Sequence, residues 1–258
     1  MLCYNNICIS AVRGVIEDIG CPALYIIIKE VREMTTLHLP SNLPKPTLEE
    51  IRNCPVRSRI DNIAVRAGLN PPPVDGRDMI LHISDTPSTM FPYLRRAIRR
   101  LRPAWVVHTG DLVDDIKLET RPGMIDLYRK KLGVLLNVLS DETCGAILLT
   151  GNHDHLPTLL EMTENSSVQV WSRPGRFYIG SFRFRAGHTY EDVMNDAGEY
   201  NLFGHSLEHP TVIDECGRFF LNGLEKMHLI HMETGDVIPF KYPPGTNDAR
   251  LERKRISL

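Results

Sequence analysis

The sequence has no run of about 18 consecutive apolar residues of the kind that spans a bilayer. Its nearest approach, Ala23 to Ile28, is closed by Lys29, and the first residues do not read as a secretory signal. Neither sign of charge dominates: 30 Lys+Arg stand against 32 Asp+Glu, a formal net charge of -2. That balance argues against a chain built mainly to coat nucleic acid or an anionic membrane, and leaves room only for a local basic patch. None of the six cysteines stands in a C-x-x-C pair or at the spacing of a zinc module, so free thiols in a reducing, cytoplasmic setting are expected. There is no internal repeat. With 42% apolar and 24% charged residues in 258, disorder throughout is excluded, and one sizeable domain with an appendage is the natural size reading.

Residues 1–33 hold three of the cysteines and no sustained amphipathic period. Lys29-Glu30-Val31 can be encoded AAG-GAG-GTN, a bacterial ribosome-binding sequence at a suitable distance before Met34. The expectation is a bacterial gene translated from Met34, with 1–33 as mis-called upstream sequence. Residues 34–78 carry Pro40, Pro44, Pro46, Pro55 and the run Pro71–Pro73, which must be extended because each ring fixes φ and removes a donor. They read as an N-terminal proline-rich arm, with Thr47 and Glu50 forming a capping box at one helix start. From Met79 short apolar runs alternate with helical periodicity: strands at 79–84, 104–108 and 146–150, helices at 92–101, 124–139 and 157–162. The stretch from 168 to 240 is rich in strands, one of them read over 177–186, and the whole predicts a layered α/β domain over 79–240. Residues 241–258, with Arg250, Arg253, Lys254 and Arg255, read as a solvated basic tail.

Polar residues follow the first three strands in a regular way. The first ends in Asp85, the second in Gly110-Asp111-Leu112-Val113-Asp114, the third in Gly151-Asn152-His153-Asp154. The carboxyl ends of neighbouring strands in an open α/β sheet share one crevice, so Asp85, Asp111 and Asn152 are expected to converge. Carboxylates meeting there with no lysine or arginine in the same loops would repel, and a divalent cation removes that repulsion. His82 and His108 lie within strands and read as hydrogen-bonded core residues, and Asp114 as a loop brace or a ligand.

Gly110-Asp111-Leu112-Val113-Asp114 and Gly151-Asn152-His153-Asp154 resemble two signatures of the calcineurin-like metallophosphoesterases, in the family's order. A given four-residue string arises by chance in a chain this long on the order of once in a thousand. The resemblance covers roughly residues 79–240, is best to the small, compact branch, and implies a four-layer α/β/β/α sandwich with metal at one end. The first signature, Asp-x-His, is matched by Asp85-Thr86-Pro87, with proline for histidine. The fourth is matched by Ala186-Gly187-His188, with alanine in the ligand position, and the fifth by Gly204-His205-Ser206-Leu207, with one histidine lost. The resemblance then implies Asp111 as a bridging ligand, Asp85 at one site, Asn152 and His205 at the other, and His188 as a substitute ligand, with His155 and His209 as further candidates. His153 is implied as general acid, oriented by Asp154. One or two ions, Mn2+ or Mg2+, would support hydrolysis of a phosphate mono- or diester by metal-activated water, on a small-molecule or nucleotide substrate. The alternative is a catalytically quiet member serving as a protein-binding scaffold. The arginines from Arg95 to Arg102 read as a solvated helix face, with nucleic acid as the lesser alternative.

Overall fold

The computed structural model describes residues 36–39, 59–142 and 145–250. The Thr47 helix start, the readings on 1–33, and residues 251–258 lie outside them. Two six-stranded sheets face each other. The first is centred on parallel strands β2 (Met79–Ile83), β3 (Trp105–His108) and β4 (Gly145–Leu149), with β5 (Val168–Trp171) parallel at one edge; at the other, β11 (Met227–His231) lies antiparallel to β2 and β12 (Val237–Phe240) antiparallel to β11. The second runs in the order β1 (Thr36–Leu39), β6 (Gly175–Ile179), β7 (Phe182–Ala186), β8 (Tyr200–Phe203), β10 (Phe219–Asn222), β9 (Val212–Ile213). The proline-rich arm therefore also supplies a strand, since β1 pairs in parallel with β6, Leu37 opposite Phe177.

The central strands read as nearly continuous apolar runs, interrupted by His82 and His108, because both their faces are covered. Ile80, Val107, Ile147 and Ile230 point into the inter-sheet layer with Phe177, Phe184 and Leu202. Leu81, Ile83, Val106 and Leu148 pack instead with Leu94 and Ile98 of α2 (Phe91–Leu101) and with Tyr128, Leu132 and Leu135 of α3 (Ile125–Glu142). Each such side chain contributes about 1.5–3 kcal/mol of burial. On the outside of the second sheet, α5 (Tyr190–Met194) brings Val193 against Phe203 and Phe220. Its capping box, Thr189 with Asp192, fixes where it starts. Helix, sheet, sheet and helix give the four expected layers.

Helix α2 begins with Pro92 in its first turn and ends at Arg102, whose φ of 53° lets its N–H reach the Ile98 carbonyl. Arg96, Arg99 and Arg100 lie on its exposed face. His82 and His108 are fully buried, as expected of core residues, against the hydroxyls of Thr109 (3.1 Å) and Thr86 (2.9 Å). Burial pushes His108 down to about 3, so both its nitrogens serve as neutral hydrogen-bonding groups.

The C-terminal stretch corrects the solvated-tail expectation as far as Arg250. The Tyr242 hydroxyl sits between the carbonyls of Ser84 (3.1 Å) and Gly223 (2.5 Å) and accepts the Ser84 N–H. Arg250, the last residue of α6 (Thr246–Arg250), is only 5% exposed. Its guanidinium lies 4.2 Å from the Tyr242 ring and donates to the carbonyls of Asp85 (2.6 Å), Ser84 (3.1 Å) and Leu224 (2.8 Å). The Asp85 and Leu224 carbonyls would be stranded without it, while that of Ser84 keeps the Tyr242 hydroxyl. Arg250→Ala is therefore expected to cost about 3 kcal/mol, read as a lower urea midpoint, where a solvated tail residue would cost under about 0.5 kcal/mol.

Candidate metal centre

The candidate residues stand just past the carboxyl ends of five strands: Asp85 after β2, Asp111 after β3, Asn152 after β4, His188 after β7 and His205 after β8. Both sheets thus deliver side chains to one rim. Three of these residues, Asp85 (φ 51°), Asp111 (φ 55°) and His205 (φ 68°), adopt left-handed backbone, which non-glycine residues hold only when surrounding structure enforces it. Gly110, at φ 108°, supplies the turn before Asp111, and a side chain there would collide with His188.

His188 is the best-defined member. Its Nδ1 is 2.8 Å from the Thr109 carbonyl, which only an N–H can face, so the neutral ring has its lone pair on Nε2. That lone pair points at Asn152 Oδ1 (3.1 Å), His205 Nδ1 (3.2 Å) and Asp111 Oδ2 (3.6 Å). The Asn152 amide is fixed the same way, since its Nδ2 donates to Glu119 Oε2 at 2.6 Å and leaves the oxygen inward. A ring of acceptors around one point calls for a positive charge in its midst. The Asp111, His188 and His205 donor atoms lie within 4.8 Å of one another, as a single ion requires. Asp111 and His188 are buried while Asn152 and His205 are exposed, so the cluster opens to solvent.

A second group, Asp111, Asp114 and His153, meets the same distance limit and shares Asp111 with the first. Burial, then the charges of Asp154, Asp85 and Asp114, drive the Asp111 carboxyl well above the ordinary range. Burial followed by Asp85 pushes Asp114 up to about 7. The expectation that no cation enters these loops is corrected: Lys117, three residues past Asp114, bonds its carboxylate through Nζ.

Asp111, Asn152, His188 and His205 come together; Asp85 stands beside them, outside both groups, its Oδ2 taken by the His205 N–H at 3.1 Å. Ala186 is packed in the inter-sheet core, so the imidazole comes from His188 two residues on. Neither His155 nor His209 joins: His155 caps α4 (Leu156–Thr163), and His209 stacks on Tyr190 at 4.1 Å.

Asp154 does not orient His153, contrary to expectation. Its Oδ2 accepts the N–H groups of Asp111 and Gly151, both at 2.8 Å, and its Oδ1 accepts the Leu112 N–H and Tyr128 hydroxyl, both at 2.9 Å. It staples the two signature loops together. The His153 ring instead has Nδ1 3.5 Å from Glu119 and Nε2 4.0 Å from Asp111. Burial, then the Lys117 charge, pushes it down to about 4, so the resting ring is neutral. Asp114, Lys117 and Glu119 are the site residues that sequence reasoning missed or left open. The signal for Lys117 was its spacing of three from Asp114, which one turn of backbone turns into contact.

The family model for calcineurin-like phosphoesterases matches residues 79–250, two-thirds of the chain, and the protein belongs to that metal-dependent family. Among solved structures it is similar to YfcE, a phosphoesterase from E. coli, at 13% identity over 63% of this chain and 97% of that one, with a TM-score of 0.38. It is also similar to AQ665 of Aquifex aeolicus, a protein of unknown function, at 13% identity over 54% of this chain and 82% of that one, with a TM-score of 0.34. No curated protein matches.

Proposed function

We propose that this protein is a divalent-cation-dependent hydrolase of a phosphate ester, carried by a small molecule or a nucleotide. The observation that carries the reading is the His188 lone pair, aimed with Asn152 Oδ1, His205 Nδ1 and Asp111 Oδ2 at a common point. Two imidazoles, an amide oxygen and a carboxylate fit a divalent ion, and this mixture favours Mn2+ over Mg2+. When bound there, the ion would polarise the phosphoryl oxygens and activate water. The chain's own residues do the rest. His153, at the mouth and neutral at rest, is assigned protonation of the leaving oxygen once the anionic ester beside it favours the charged ring. Glu119 holds both His153 and the Asn152 amide, and Asp154 keeps the two loops in register. Asp85 positions His205 through its N–H.

No helix among the described residues is long and apolar enough to cross a membrane. A bacterial cytoplasm remains the setting in this reading, supported by cysteine spacing without C-x-x-C pairs and by Lys29-Glu30-Val31, whose codons can spell a ribosome-binding sequence before Met34. The test is turnover of p-nitrophenyl phosphate and bis(p-nitrophenyl) phosphate by chelator-stripped protein titrated with Mn2+. Hydrolysis that appears with Mn2+ and disappears with chelator is expected. Silence on both esters at saturating Mn2+ would favour the quiet scaffold.

A further inference from the structure

We propose that this centre works with one divalent ion, in the Asp111–Asn152–His188–His205 position, and that the ammonium of Lys117 stands where a second ion would go. The inference rests on reading the site as a metal centre, and concerns how many ions it takes.

The two donor groups sharing Asp111 differ in kind. In the first, Asn152 Oδ1, Asp111 Oδ2 and the ring nitrogens of His188 and His205 gather around one point, and no Lys or Arg side chain is bonded to them among the described residues. In the second, Asp114 already holds Lys117 Nζ, and the lysine charge is felt at the His153 ring as well. The ammonium thus sits against the very carboxylate a second ion would need. Sequence changes on that side agree: Pro87 and Leu207 occupy positions where the family signatures carry histidine. Leu207 is 59% exposed and offers no donor. Asp85, the remaining candidate there, spends one oxygen on the His205 N–H.

Charge counting leads to the same number. Asp111 faces three other carboxylates, Asp85, Asp114 and Asp154. Against these four stand two buried or half-buried cations, Lys117 and Arg250, both close enough to act on Asp114. Glu119 lies outside the tally, exposed at the mouth and paired with the Asn152 amide. With all four ionised, two negative charges remain, which one divalent ion neutralises. A second ion would leave the buried cluster doubly positive, and such an excess is unfavourable away from water. Lys117 has three N–H donors, of which Asp114 takes one, so the others are available to an anionic phosphate oxygen at the same place.

The experiment is Mn2+ binding by the full-length, chelator-stripped protein, by equilibrium dialysis with metal analysis and by electron paramagnetic resonance. One equivalent per chain, with the spectrum of an isolated ion free of exchange coupling, is expected. Lys117→Met removes the ammonium and keeps the stem, and should admit a second equivalent with an exchange-coupled spectrum. Lys117→Arg keeps the charge and should remain at one. Two coupled ions in the unaltered protein overturn the proposal whatever the variants do. A Lys117→Met protein that stays at one overturns the role given to the lysine. Binding of no Mn2+ by the unaltered protein is a different failure, since it removes the metal centre and the phosphoesterase reading with it.

Discussion

Asp111→Asn is expected to lower kcat/KM for Mn2+-dependent ester cleavage about a thousandfold, roughly 4 kcal/mol of transition-state stabilisation. Asp111 is the only described residue common to both donor groups. Its Oδ1 accepts the His153 N–H at 3.0 Å, and its Oδ2 faces the His188 lone pair. Asparagine fills the same volume and can still accept from His153, but it removes the one carboxylate charge in the first donor group. The variant should bind Mn2+ at least an order of magnitude more weakly. Its metal-free stability should move the opposite way. The folded-state pKa of Asp111 is raised, so the stability linked to its protonated form is present at low pH and lost as pH rises through the raised value. A neutral amide has no such loss, and the metal-free variant should melt at or above the parent at neutral pH. Loss of activity together with a lower metal-free melting temperature would point to misfolding; undiminished activity would end the assignment of Asp111 as a ligand.

Asp154→Ala should have the largest effect on stability, about 3–5 kcal/mol. Four donors converge on this one carboxylate, and those of Asp111, Leu112 and Tyr128 belong to buried residues. Alanine leaves all four unmet and separates the loop after β3 from the loop after β4. The measurement is chemical denaturation of the metal-free protein, with His153→Ala as comparison. If Asp154 served to orient His153, the two variants would behave alike in their pH–rate profiles and neither would unfold easily. The hydrogen bonds predict instead a steep stability loss for Asp154→Ala alone.

Much of the fold was legible because its strands are covered on both faces. Met79–Ile83, interrupted only by His82, and Gly145–Leu149 read as apolar runs and lie within a residue or so of their expected bounds. The stretch expected as one strand over 177–186 is a hairpin, β6 and β7, turning at Gly180 with φ 58°. Helices α5 and α6 were missed because five residues are too few for a period to show. At the site, glycine followed by Asp111 or Asn152 marked the strand ends plainly. His188 was harder to place, because strand alternation puts Ala186 and His188 on the same side, and the choice depends on where β7 ends and the rim begins. Lys117 and Arg250 were hidden for a different reason. A sequence shows charge but not direction, and both look like ordinary solvated cations until the chain folds them inward.

The bonds from Arg250 to the end of β2 join residues 165 and 166 positions apart. Contacts of such separation must wait for the chain between them to close, at an entropic cost that local contacts avoid. The first sheet can gather its inner strands early, yet the backbone beneath Asp85 is left unfinished until the last described helix arrives. On a ribosome delivering the chain from its N-terminus, the metal-facing rim would therefore become rigid only once Arg250 has emerged, after the scaffold that carries it is already in place.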